Sequence, residues 1–88
     1  MSVIETLQER HITHGSFADN AFYSQDFKKT LHSSKGWWDL HPVQQEALDQ
    51  IALKLSRILS TDGKHSDNWH DVAGYATLVE KWLKGEHL

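Results

Sequence analysis

An all-α fold is predicted: a single domain over residues 1–88, built from about four helices in a bundle or a pair of hairpins. Three observations predict it. Apolar residues recur at spacings of three and four in four separate stretches, and no stretch alternates as a half-buried strand requires. Helix start and stop residues bracket those stretches: Ser2, Ser16, Pro42 and Ser66 at the starts, Gly15 and Gly63 at the ends. The connections are short, with no internal repeat, low-complexity tract or long linker.

The first helix opens on Ser2-Val3-Ile4-Glu5, a Ser-x-x-Glu capping box that satisfies amides lacking an intrahelical partner, and runs through Leu7 towards Ile12. Gly15 ends it. The second starts at Ser16, and Phe17, Ala21, Phe22, Phe27 and Leu31 are its expected apolar positions. Ser33-Ser34-Lys35-Gly36 is a loop. In Trp37-Trp38, just before the third helix, one indole is expected to bury and the other to stay exposed as an anchor for a partner or a base.

The third helix carries the clearest pattern. Pro42 suits a first helical position, where its missing N–H has no partner to lose. Leu48, Ile51, Leu55 and Ile58 follow at intervals of three, four and three and form one apolar stripe. Ser60-Thr61-Asp62-Gly63 breaks the helix. The fourth opens with Ser66 as N-cap and Asp67 in the first turn, where a carboxylate favours the helix dipole. Its apolar face is Val72, Tyr75, Ala76, Val79, Trp82 and Leu83. Gly74 interrupts this helix at a cost of about 1 kcal/mol relative to alanine, which points to close helix packing or to a ligand.

Composition narrows the function classes. Four tryptophans, two tyrosines and three phenylalanines supply bulk for the core of an 88-residue chain or for a dimer seam. With no cysteine, neither a disulfide framework nor a thiolate metal site is possible. The N-terminal residues show no basic start and no apolar h-region, so no secretory leader is expected. No apolar run nears the ~20 residues of a membrane span. These features predict a cytoplasmic protein that makes no membrane contact. A formal charge of −3 carries no basic signature of nucleic-acid binding. Phosphate-loop, dinucleotide-turn, zinc-helix and nucleophile-elbow motifs do not occur.

Two acidic pairs stand out. Glu46 and Asp49, at i and i+3, lie on the polar face of the third helix with Gln50, Lys54 and Arg57. Asp67 and Asp71, at i and i+4, share a face of the fourth. Each pair has two readings. One is a solvated helix face with local ion pairs worth a few tenths of a kcal/mol. The other is a set of hard oxygen ligands for Mg²⁺ or Mn²⁺. His11-x-x-His14 has metal-like spacing without a third partner nearby and reads as polar surface.

The run His65-Ser66-Asp67-Asn68-Trp69-His70-Asp71-Val72-Ala73-Gly74-Tyr75-Ala76 resembles the signature of a small phage and prophage family of unknown function. Glu9-Arg10, Gly15 to Asn20, Pro42 to Asp49 and Lys54 to Leu59 fit the same pattern, so the resemblance spans about residues 8 to 83. The chain is also similar to the all-α NTP pyrophosphohydrolases of the MazG type. That similarity implies Glu46 with Asp49 and Asp67 with Asp71 as the metal-binding acids, and Lys54 and Arg57 as phosphate contacts. Trp69 and His70, inside the signature, complete the candidate ligand-binding set.

The acids depart from the MazG pattern, with Glu-x-x-Asp in place of Glu-x-x-Glu and Asp-x-x-x-Asp in place of Glu-x-x-Asp. These departures favour nucleotide binding over hydrolysis, and no catalytic residue is assigned. The expectation is a nucleotide- or phosphate-binding domain that self-associates, since small bundles bury leftover apolar surface in two-fold dimers. The alternative is a non-enzymatic interaction module that modulates a host protein through an exposed tryptophan.

Overall fold

The four periodic stretches become α1 (Val3–His14), α2 (Phe17–Ser33), α3 (Pro42–Leu59) and α4 (Ser66–Leu83) in the computed structural model, which describes residues 2–88. Met1, the first residue of the segment read above for a leader, lies outside them. The described residues also hold one 3-10 turn, Trp37–Asp39, and no strand. No helix among them is long and apolar enough to cross a membrane.

Local chemistry sets the helix ends. The Ser2 hydroxyl accepts the Glu5 amide at 3.1 Å and the Ser16 hydroxyl accepts the Asp19 amide at 3.4 Å. Both satisfy first-turn amides that the helix leaves open. Before Pro42 an imidazole takes the role of a capping hydroxyl. His41 Nδ1 accepts the Val43 amide at 3.2 Å, while the Gln44 side chain accepts the His41 amide at 2.9 Å. α4 begins one residue earlier than expected: Ser66 is its first helical residue, and His65 holds the cap position without a side-chain bond. The incoming loop is instead tied by the Trp69 indole, which donates to the Gly63 carbonyl at 2.8 Å.

α3 is the central rod, packed against α2 on one side and α4 on the other, and α1 rests lightly on α2. The closest helix contacts run over small side chains. Ala47, Ala52 and Ser56 of α3 and Ser24 of α2 are buried, which lets neighbouring backbones approach. The Ser56 hydroxyl donates to its own helix at the Leu53 carbonyl, 2.6 Å away, so its burial leaves that donor satisfied.

Of the apolar positions expected on α2, Ala21, Phe27 and Leu31 are half-buried, and Phe17 and Phe22 face outward. Asn20 and Ser24 are its buried residues, whereas Phe17 is 87% and Phe22 71% exposed. The tight α1–α2 corner at Gly15 sits against Ser60 at the end of α3.

Aromatics pin one end of the helical layer, where α2 and α4 finish and α3 starts. Trp37 is buried and Trp38 is 77% exposed, the division expected of that pair. The Trp37 carbonyl accepts Gln45 Nε2 at 2.9 Å, and its ring lies 4.4 Å from that of His32. At the N-terminal end of α3, the His41 ring stands 4.5 Å from Trp82, near the end of α4, so α3 and α4 run antiparallel.

Candidate functional site

The carboxylates singled out by sequence are engaged by different neighbours. Asp49 reaches towards α2, where His32 Nε2 lies 2.8 Å from its Oδ1. Asp71 reaches from α4 to α3 and pairs with Lys54 at 3.0 Å. Glu46 accepts Gln50 Nε2 within its own helix at 3.0 Å, and Asp67 is exposed in the first turn of α4. Asp49 and Lys54 are five residues apart on α3, which at about 100° per residue places them roughly 140° apart on the helix. The two acidic pairs are thus drawn to separate sides of α3. Among the described residues no group of three or more His, Asp or Glu side chains lies close enough to hold a metal ion.

The remaining sequence candidates are also dispersed. Trp69 commits its only polar atom to Gly63 and leaves much of its ring exposed. His70 borders a shallow depression of about 280 Å³ with Asp71, Gly74, Tyr75 and Leu78. A Cβ placed on Gly74 meets no atom within 4 Å, so close helix packing is not the reason for this glycine. Lys54 is largely covered and bound to Asp71.

Arg57 lies elsewhere. It lines a groove of about 650 Å³ between α1, α2 and α3, within the range of small-molecule sites. Arg10 and His14 of α1 and Lys28 of α2 line it as well, alternating with Leu7, Phe17 and Leu53. No aspartate or glutamate lines the groove. Among the described residues Arg10, Lys28 and Arg57 make no ion pair. In a chain of net charge −3, this groove is a local concentration of uncompensated positive charge.

His14 registers that field. Its pKa is held below the usual 6.5, first by burial and then by the positive charges of Arg57, Lys54, Arg10 and His65. Beneath it, Asn20 donates from Nδ2 to the His14 carbonyl, which ties the end of α1 to α2. The Asn20 Oδ1 is buried without a hydrogen-bond partner. The arrangement can neutralise an anion through its basic side chains and cover apolar surface along its walls.

Sequence reasoning found Arg57 and missed Arg10, His14, Asn20 and Lys28. A partial signal was present, because Arg10 and His14 are spaced i and i+4 and therefore share one face of α1. What sequence spacing did not convey is that this face closes over α2 and the far half of α3.

Residues 3–83 match a family described as a domain of unknown function, DUF6378, and the chain belongs to that family. Comparisons with curated proteins and with solved structures each returned no match.

Proposed function

We propose that this member of the DUF6378 family is a phage-type, cytoplasmic, self-associating domain that binds a phosphorylated small molecule of the nucleotide class. One observation carries the reading: the groove gathers Arg10, Lys28 and Arg57 with no carboxylate among its lining residues. A phosphate answers that charge, and guanidinium groups bind it through paired, charge-assisted hydrogen bonds. A base answers the rest of the groove, through its apolar face against Leu7, Phe17 and Leu53. Binding here uses Arg57 as the sequence suggested, with Arg10 and Lys28 in place of Lys54, which Asp71 already occupies. The reading assigns no bond-breaking step. Mg²⁺ or Mn²⁺ held by Glu46, Asp49, Asp67 or Asp71 is a separate proposal, tested by adding either ion.

The test is calorimetric titration with nucleoside mono- and triphosphates and with inorganic phosphate, each with and without Mg²⁺ or Mn²⁺. A nucleotide is expected to bind, and Arg57→Ala and Arg10→Ala each to weaken it about 10-fold, as loss of one charge-assisted contact implies. Absence of heat across the panel, or binding unchanged in both variants, overturns the reading. A second reading is favoured by the exposure of Trp38 on a turn pinned by Trp37: a module that modulates a host protein, with Trp38 as its anchor. Retention of a host protein on immobilised wild-type chain but not on Trp38→Ala, with nucleotides silent, selects this alternative.

A further inference from the structure

Among the basic side chains of the groove, the His14 imidazole can change its charge near neutral pH. It belongs to the last residue of α1, is half-buried, and lines the groove with Arg10, Lys28 and Arg57. Arg10 stands one helical turn before it on the same face of α1. His11 of α1 is a further lining residue, Lys28 belongs to α2, and Arg57 comes from α3. The charges of Lys54, on α3 and paired with Asp71, and of His65, just before α4, reach His14 too. All of these groups are basic. Among the described residues His14 makes no ion pair, and no carboxylate lines the groove.

Two effects compete at this ring. A helix C-terminus favours the charged form of a histidine. Burial and the neighbouring cations favour the neutral form, and they prevail, since the pKa lies below 6.5. At neutral pH and without a ligand, the ring is therefore largely uncharged. An anion reverses the local field. A groove of about 650 Å³ is on the order of 10 Å across, about one Debye length, so an anion seated among its basic side chains also acts on His14. It offsets the repulsion from Arg10 and Arg57 and adds an attraction of its own.

We propose that the groove takes up its phosphorylated ligand together with a proton from solvent, which His14 accepts as the phosphate settles among Arg10, Lys28 and Arg57. The proposal rests on the nucleotide reading above and adds a residue to it: His14 becomes a fourth cation, charged in the complex. Linkage fixes the sign. The His14 pKa is higher in the complex than in the free chain. Its share of the affinity is therefore fully present below the free value and is lost as pH rises through the bound one. The ligand contributes an opposite trend, because a phosphate monoester has a second pKa of about 6 and releases a proton when it binds as the dianion. The histidine is therefore read by itself.

The experiment follows the His14 ring protons by NMR on the full chain from about pH 5 to about pH 8, alone and with saturating ATP without divalent metal. The amide signals of Arg10, Lys28 and Arg57 report binding, and His70, on α4 and outside the groove lining, is the reference. The His14 titration is expected to move to higher pH with ATP, and that of His70 to stay in place. Calorimetry gives a second readout, the ratio of wild-type to His14→Gln affinity for ATP. The ratio is expected to rise about 3-fold or more from pH 8 to pH 6, as an opposite charge within about 4–6 Å of a titrating group implies. Titration of the ligand itself is common to both chains and divides out, and a role for His14 in the fold alone leaves the ratio flat. ATP binding with the His14 titration unmoved, with His70 shifted in its place, or with a flat ratio overturns the inference and leaves nucleotide binding standing. Amide signals unmoved by ATP overturn both.

Discussion

Replacing Gly15 with alanine tests how α1 and α2 are seated on α3. Gly15 has φ +80 and ψ −169, a backbone region that essentially only glycine occupies. Forcing an L-residue into it costs about 1–3 kcal/mol. Space adds a second cost. A Cβ at this position abuts the carbonyl oxygen of Ser60 and stands 2.7 Å from the Ser60 Cβ. Ser60 caps α3 through its amide, so its backbone does not yield as a flexible side-chain tip does. Such overpacking adds about 1–3 kcal/mol. Together the two effects predict a loss of about 2–6 kcal/mol. For a domain of this size that lowers the melting temperature by at least ~8 °C. The assay is thermal and urea unfolding followed by circular dichroism at one fixed protein concentration, because self-association makes the midpoint concentration-dependent. A fall of less than about 1 kcal/mol refutes the reasoning and means that the α1–α2 corner does not rest on Ser60.

The same substitution at Gly74 is expected to act in the opposite direction. Its Cβ meets nothing within 4 Å, so Gly74→Ala gains helix propensity and stabilises by about 0.5–1 kcal/mol in urea unfolding; a loss there refutes the open-space geometry. Acid should weaken the fold through His14, whose folded pKa lies below its unfolded value of 6.5. Between those two values the unfolded chain binds more protons, so the urea midpoint should drop as pH falls below 6.5 and recover above it, and His14→Gln should flatten that dependence. A wild-type profile identical to that of His14→Gln counts against the cationic groove. The tryptophan pair should split cleanly: Trp37→Ala costs about 3–5 kcal/mol as a buried aromatic, while Trp38→Ala leaves the melting temperature within about 2 °C, as expected of an exposed side chain. Equal effects at both positions contradict their assigned burial.

The candidate site was only partly legible. Arg57, a phosphate contact by the MazG-type resemblance, lines the groove between α1, α2 and α3. The acidic pairs were recognised by spacing, but spacing states only that two side chains share a face of one helix. It does not state which neighbouring helix that face meets. Asp49 meets His32, Asp71 meets Lys54, and each acid is held by that partner. Arg10 stands in the Glu9-Arg10 piece of the family resemblance and His14 in a His-x-x-His spacing, but neither points to Lys28, and the three belong together only because α1 and α2 fold over Leu53 and Arg57.

The helices and their ends followed from the chain alone, since periodicity and capping are interactions among residues no more than about four apart. Ser2, Ser16, Gly15 and Pro42 act within that range, so each could be read in isolation. Which side of each helix lies inward was decided only by packing. In α2, Asn20 and Ser24 lie inside beside half-buried Phe27 and Leu31, while Phe17 and Phe22 lie outside. Rotating a helix about its axis leaves its internal hydrogen bonds unchanged and alters all of its contacts with neighbours. Local sequence therefore determines the rod, and the groove arises when the rods are set side by side.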